Sequence, residues 1–210
     1  FEEQVEILIE FYKKYDSKKT KEEVRGIVNR RRPSGSPDGT RVPSKPWLEL
    51  CNKLGFKYKK VQSLNELEVT DYILIGGAGI IPKKLTDSKK IINSHPAYLP
   101  YMRGLDSLKW AIFEGKPIGV TTHIISEETD TGWLINKQLL PLYSWDTFHS
   151  VAYRQYEMEI DMLVDSIEDV KTATLEPLSS SYCEPQRRMP HRHEMKLINR
   201  FNKMIDKYND

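Results

Sequence analysis

Short apolar runs alternate with amphipathic, helix-spaced stretches along this chain, and no other feature restricts its fold as much. Val24–Val28, Phe56–Val61, Tyr72–Ile75, Ile91–His95, Gly119–Ile125 and Trp133–Leu140 read as strands, being short and rich in β-branched and aromatic residues. Around them apolar side chains recur at helical spacing. Val5, Leu8, Ile9, Tyr12 and Tyr15 form the first such stripe, and Leu105, Leu108 and Ile112 a second, behind a capping Asp106 and closed by Gly115. Ala152, Tyr156, Ile160, Leu163 and Ile167 mark a long helix from Asp146, and Leu197, Ile198, Phe201, Met204, Ile205 and Tyr208 a last one. Brief helices are expected over Pro46–Gly55 and Leu64–Leu67, and a short strand near Thr172–Leu175. Strands interleaved with helices predict an α/β class: a Rossmann-like, largely parallel sheet with helices on both faces. Residues 1–176 are read as one domain whose first strand is missing, since the chain opens on a helix-like pattern. Residues 177–210 are read as a C-terminal extension, its terminal helix packed on the same domain.

Composition narrows the function classes. The longest apolar runs, Tyr72–Ile75 and Ala78–Ile81, are far too short to span a bilayer, and the start lacks a signal-peptide pattern. Two cysteines, Cys51 and Cys183, give no disulfide framework and favour a reducing cytoplasm. A formal net charge of +2 gives no bulk attraction to nucleic acid. The expectation is a cytoplasmic protein with neither a membrane nor a nucleic-acid partner.

The chemistry concentrates in Ile92–Gly104 and Asp130-Thr131-Gly132. In a strand the side-chain period is 2, so Asn93 and His95 project from one face. Pro96 stops the strand, which places the pair at a carboxyl end, where open α/β sheets bind ligands. An aspartate brought in from another loop would orient and charge-tune the imidazole. Asn93, His95 and Asp130 would together supply an oxyanion donor, a proton carrier and a supporting anion, the requirements of acyl transfer. The glycine stretch Gly76-Gly77-Ala78-Gly79 follows a strand but does not match the G-x-G-x-x-G fingerprint, so a dinucleotide site is rejected. Cys183, His191 and His193 have irregular spacing and no fourth ligand, so no metal site is expected.

The runs DYILIGGAG (71–79), NSHPAYLPYMRG (93–104), WAIFEGKPIG (110–119) and TDTG (129–132) resemble the folate-dependent formyltransferase family. Within it, Pro100-Tyr101-Met102-Arg103-Gly104 and Asp130-Thr131-Gly132 look most like the short nucleotide-sugar N-formyltransferases, which act on dTDP-amino sugars. The resemblance implies the formyltransferase fold for 1–176 and an enzyme with Asn93, His95 and Asp130 as catalytic residues. It implies 10-formyltetrahydrofolate as formyl donor and co-substrate, with no metal. Ile75, Gly76, Gly77, Ala78, Gly79, Ile80 and Ile81 would line the folate cleft, with Glu128 and Thr129 closing it. The implied acceptor is the amine of a nucleotide-linked amino sugar, on the route to surface polysaccharide such as the O-antigen of lipopolysaccharide. Tyr98, Arg103, Gly104, Tyr182 and Arg187 are the expected substrate-binding residues. Arg103 is expected on a phosphate, because a guanidinium matches one bidentately. A homodimer is expected from the apolar stripes near Trp133–Leu140 and on the last helix. The alternatives are glycinamide ribonucleotide formylation in purine synthesis and, from another class, a catalytically silent folate- or nucleotide-binding module.

Overall fold

The computed structural model describes residues 25–27, 52, 53, 55, 64, 67, 72–76 and 81–208, the first three by backbone alone. The expected first helix, most of Pro46–Gly55, the strand Phe56–Val61 and Gly77–Ile80 lie outside them. Along the chain come β1 (Arg25–Ile27), β2 (Ile73–Ile75), α1 (Lys83–Thr86), β3 (Ile91–His95), α2 (Ser107–Glu114), β4 (Gly119–Ile125) and β5 (Gly132–Leu139). The long α3 (Phe148–Thr172), β6 (Glu176–Leu178), a 3-10 turn at Ser180–Tyr182 and α4 (His191–Ile205) follow.

The six strands form one sheet in sequence order. β1, β2 and β3 are parallel, whereas β4, β5 and β6 each run antiparallel to the preceding strand. The α/β class is as the sequence predicts, and the sheet is mixed where a largely parallel one was expected. Two connections account for this. The chain leaves β3 at its carboxyl end, passes through α2 and re-enters the sheet beside that same end. The 126–131 loop between β4 and β5 is far too short for a parallel crossover and closes a hairpin instead.

Both faces of the central strands are covered, which is why β2 and β3 read as nearly continuous apolar runs. On one face Leu74, Ile92, Ile124 and Ile135 meet Leu163, Ile167 and Val170 of α3. On the other, Ile73, Ile75 and Ile91 pack around Leu85 of α1. A third cluster joins α2 and α4 to the start of α3 through Ala111, Ile112, Val151, Leu197, Phe201 and Ile205. The expected stripe of α3 holds at Ile160, Leu163 and Ile167, which are buried, whereas in the first half of the helix Val151 and Gln155 turn inward and Ala152 and Tyr156 are only half-buried. Gln155 donates to the carbonyls of Pro96 and Gly119, both at 2.9 Å, fastening α3 where β3 ends and β4 begins.

Four smaller expectations change. Asp106 precedes α2 but makes no side-chain cap; its carboxylate accepts from the Met189 backbone N–H at 2.9 Å. Leu105 is 45% exposed, so Ser107, Ala111 and Ile112 form the buried face of α2. The last strand lies at Glu176–Leu178 because α3 continues to Thr172, and only beyond it does the chain reach Gly132–Leu134 of β5. Ile198 of α4, at 53% exposure, faces away from the core.

Candidate active site

Strand geometry sets the first two groups. Ile91 faces α1 and Ile92 faces α3, so Asn93 and His95 share the α1 face of β3 and stand at its carboxyl end. The chain then turns away at Pro96, held by Thr121, whose hydroxyl donates to the Ala97 carbonyl at 2.8 Å and accepts from Leu99 N–H at 3.0 Å.

The β4–β5 hairpin loop supplies the third group. Asp130 sits at φ 51°, in the left-handed region that aspartate tolerates better than most residues. Its Oδ1 lies 3.4 Å from His95 Nδ1, and its Oδ2 accepts from Gly104 N–H at 2.6 Å. Gly104 has to be glycine: its φ is +88°, and a Cβ there would run into the Gln186 backbone. His95 is 6% exposed, with Nε2 3.4 Å from Ser107 Oγ. Burial lowers its pKa below the ordinary histidine range, Asp130 opposes that shift, and the Arg103 charge adds to it. His95 is therefore a neutral imidazole at neutral pH, able to accept a proton beside an anion that would stabilise the charged form.

The register adds a fourth group that the sequence reading missed. His123 of β4 pairs with Asn93 of β3 and is fully buried. Its Nδ1 lies 3.1 Å from the Thr131 carbonyl and its Nε2 3.4 Å from Asn93 Nδ2. Burial lowers its pKa to about 4, partly opposed by the Asp130 charge. The tautomer that satisfies both contacts carries its proton on Nδ1 and accepts from Asn93 through Nε2. One N–H of the Asn93 amide is thereby engaged, which leaves its second N–H for another acceptor. A histidine inside an apolar strand was the only signal available, and it acquires meaning only when the antiparallel register sets it opposite Asn93.

Among the expected cleft residues, Ile75 ends β2 buried, Gly76 is exposed, and Ile81 packs against the Leu85 cluster. Glu128 and Thr129 are exposed at the hairpin tip. Lys83 at the start of α1 pairs with Glu127 of that tip at 2.5 Å, so the two segments expected to flank the cleft meet at the surface. Tyr98, Tyr101 and Tyr182 form a chain of rings, with centroids 6.2 Å apart in the first pair and 5.4 Å in the second. Lys137 Nζ lies 4.9 Å from the Tyr98 ring centroid. Arg187 has an exposed side chain, and its carbonyl accepts from Trp110 Nε1 at 2.8 Å.

Arg103 is corrected. It is 3% exposed, and its guanidinium is spent on backbone carbonyls, leaving no fork for a phosphate. A cavity of about 350 Å³ between 126–128 and 177–180 includes none of Asn93, His95 or Asp130 in its lining and is not where this chemistry converges. Among the described residues no group of three or more His, Cys, Asp or Glu is disposed to hold a metal, and no helix is long and apolar enough to cross a membrane.

Comparison with known proteins places the chain in a family. A family model described as formyl transferase matches residues 18–167, more than half of the chain. The chain belongs to the formyl transferase family. One curated relative, the dTDP-4-amino-4,6-dideoxyglucose formyltransferase of Mycobacterium bovis, is 30% identical over 90 residues, covering 43% of this chain and 38% of that protein. The match thus spans well under half the length of that formyl transferase. Among solved structures, the formyltransferase PseJ from Anoxybacillus kamchatkensis superposes with a TM-score of 0.59 at 18% identity, covering 88% of this chain and 97% of that one. It was solved with UDP-4,6-dideoxy-4-formamido-L-AltNAc and tetrahydrofolate. A sugar N-formyltransferase from a Shewanella species superposes with a TM-score of 0.58 at 21% identity, covering 92% and 83%. At these identities the two likenesses establish the formyltransferase fold.

Proposed function

We propose that this formyl transferase moves a formyl group from 10-formyltetrahydrofolate to the amine of a nucleotide-linked amino sugar, with Asn93, His95 and Asp130 as its catalytic residues. The observation that carries the reading is a buried imidazole and a carboxylate paired at 3.4 Å at the end of β3, with the Asn93 amide two residues before His95 on the same face of that strand. When bound, the folate would supply a formyl carbon open to attack by an amine. The free N–H of Asn93 would donate to the formyl oxygen as negative charge gathers there, where a preorganised donor is worth most. His95 would take the proton the amine loses and pass it to the folate nitrogen that departs as its bond to the formyl carbon breaks, and Asp130 would stabilise the imidazolium in between. His123 would hold the Asn93 amide in its donating orientation.

The donor set fits that role. It offers hydrogen-bond donation and proton transfer at a carbonyl, in a site buried enough to strengthen both. Ile75, Gly76 and Ile81, continuing into Gly77–Ile80, would form the folate wall, with Glu128 and Thr129 on the facing loop. Tyr98 and Tyr182 would contact the acceptor beside Gly104, and Arg187 would reach it from the exposed segment. The activity of the Mycobacterium bovis relative and the ligands of PseJ support a nucleotide-sugar acceptor. The reading extends to a cytoplasmic homodimer in the synthesis of surface polysaccharide such as O-antigen; Leu139 and Ile198, 58% and 53% exposed, support a self-contact. The test is a formyl-transfer assay offering 10-formyltetrahydrofolate with dTDP-4-amino-4,6-dideoxyglucose, a UDP-4-amino sugar and glycinamide ribonucleotide in parallel. Turnover with a nucleotide sugar is expected; turnover confined to glycinamide ribonucleotide would overturn the acceptor assignment, and none at all would overturn the activity.

A further inference from the structure

Arg103 is an oddity outside the chemistry just described. A guanidinium only 3% exposed should be matched by a buried carboxylate, yet the nearest one, Glu128 Oε2, lies 3.9 Å away on a side chain 66% exposed. The charge is met by carbonyl dipoles instead. Nε and Nη2 both donate to Thr129 O, at 3.0 and 2.5 Å, while Nη1 donates to Ser180 O at 2.9 Å and Cys183 O at 3.0 Å. Hydrogen bonds from a charged donor are roughly twice as strong as neutral ones, and only a planar fork reaches two segments at once.

The segments it joins make the arrangement functional. Thr129 immediately precedes Asp130, and Ser180 and Cys183 belong to residues 179–190 between β6 and α4, a C-terminal strap. The backbone on either side of Arg103 completes the junction. Gly104 N–H holds Asp130 Oδ2, Gln186 N–H donates to the Arg103 carbonyl at 2.8 Å, and Leu105 N–H donates to the Gln186 carbonyl at 2.8 Å. Cys183 Sγ lies 3.3 Å from the Pro100 carbonyl, so the strap is also tied to the loop that follows β3. The hairpin tip bearing Asp130 is exposed at residues 127–129, and apart from Arg103 it is held by Lys83 on Glu127, by Gly104 N–H on Asp130 and by His123 at the Thr131 carbonyl.

From this geometry we infer that Arg103 is a positioning residue: it clamps the Thr129 carbonyl to the C-terminal strap and thereby fixes the Asp130 carboxylate against His95. The strap is then part of the active site, although none of its side chains belongs to the catalytic trio. The inference rests on the proposed roles of His95 and Asp130, so the test needs a reading of the pair that does not depend on turnover.

Arg103→Lys keeps the charge and loses the fork. In formyl transfer, kcat is expected to fall by up to about 10²-fold, the cost of a displacement on the order of 1 Å, with KM for either substrate little changed. The His95 pKa, followed by NMR titration of its ring, should move down in Arg103→Lys, because an anion that raises it has drifted away. Asp130→Asn should move it the same way. In the double variant the second substitution should add almost nothing, since both remove one interaction. Rate losses that multiply, or pKa changes that add, would mean that Arg103 does not act through Asp130 and would overturn the inference. Failure of the activity assay alone would count against the proposed function, while the titration would still decide the clamp. If Arg103→Lys does not fold, the native protein carries the test. The Arg103 Nε–H should exchange slowly with solvent and show a through-hydrogen-bond coupling to the Thr129 carbonyl. Fast exchange without coupling would overturn the inference.

Discussion

The two faces of β3 are built from one five-residue strand and do opposite work. On the α3 face Ile92, fully buried, packs with Leu74, Ile124 and Leu163, and Ser94 is buried beside it. On the α1 face the series Ile91, Asn93, His95 passes from core to site within three positions, and its polar members meet His123, Asp130 and Ser107. One face is stabilised by area removed from water, which is indifferent to direction. The other depends on where donors and acceptors point. The contrast teaches that substitutions on the two faces should separate stability from turnover.

The sharpest way to break that separation is at the site. His95→Asn is expected to lower kcat by about 10²–10⁴-fold, the usual worth of a positioned proton carrier, while folate affinity stays close to wild type. Unchanged turnover in a stopped assay would remove His95 from the mechanism. Asn93→Ala should cost about 10²–10³-fold in kcat, as loss of an oxyanion donor does. A rise in KM alone would instead make Asn93 a ground-state binding residue.

Across the strand, Ile92→Ala should lower unfolding free energy by about 2–5 kcal/mol, read from denaturant midpoints, with KM unaltered in the folded fraction. A loss of activity out of proportion to the loss of folded protein would show the faces to be coupled. The polar face should also answer to acid. His123 has its pKa lowered to about 4, below its ordinary 6.5, so the unfolded chain takes up a proton there that the folded protein refuses. Its stabilising contribution is complete above about pH 6.5 and declines as pH falls toward 4. Chemical denaturation across that range should show the decline, and His123→Gln should remove part of the slope. The smallest effect belongs to Ser94, whose buried hydroxyl has no hydrogen-bond partner among the described residues. Ser94→Ala should be neutral or raise stability by about 1 kcal/mol, with kcat unchanged; a clear destabilisation would indicate a partner that the fold conceals.

The regions most legible in the sequence were those whose structure is settled locally. Ile91–His95 is a strand as expected, Gly115 closes α2 in the left-handed region, and Gly119–Ile125 is a strand throughout. Elements whose limits depend on distant partners were misplaced: β6 follows wherever β5 leaves an edge, and in the first half of α3 Val151 and Gln155 turn inward in place of Ala152 and Tyr156. Arg103 is expected on a phosphate because a guanidinium matches one bidentately, a reading that says nothing of burial. Its burial is the work of a strap eighty residues further along the chain.

By itself the sequence determined that Asn93 and His95 would share a face, because alternation along a strand follows from covalent geometry and needs no neighbour. It also determined an α/β class, because the period of the apolar residues changes between elements. Only the tertiary structure decided that β4 runs antiparallel to β3, which brings His123 to Asn93, and that Asp130 reaches His95 across the hairpin. It alone decided that Arg103 is spent inside the protein. These outcomes depend on contacts between residues far apart in the chain, and their energies appear only when packing has excluded water and left each buried polar group to find a partner.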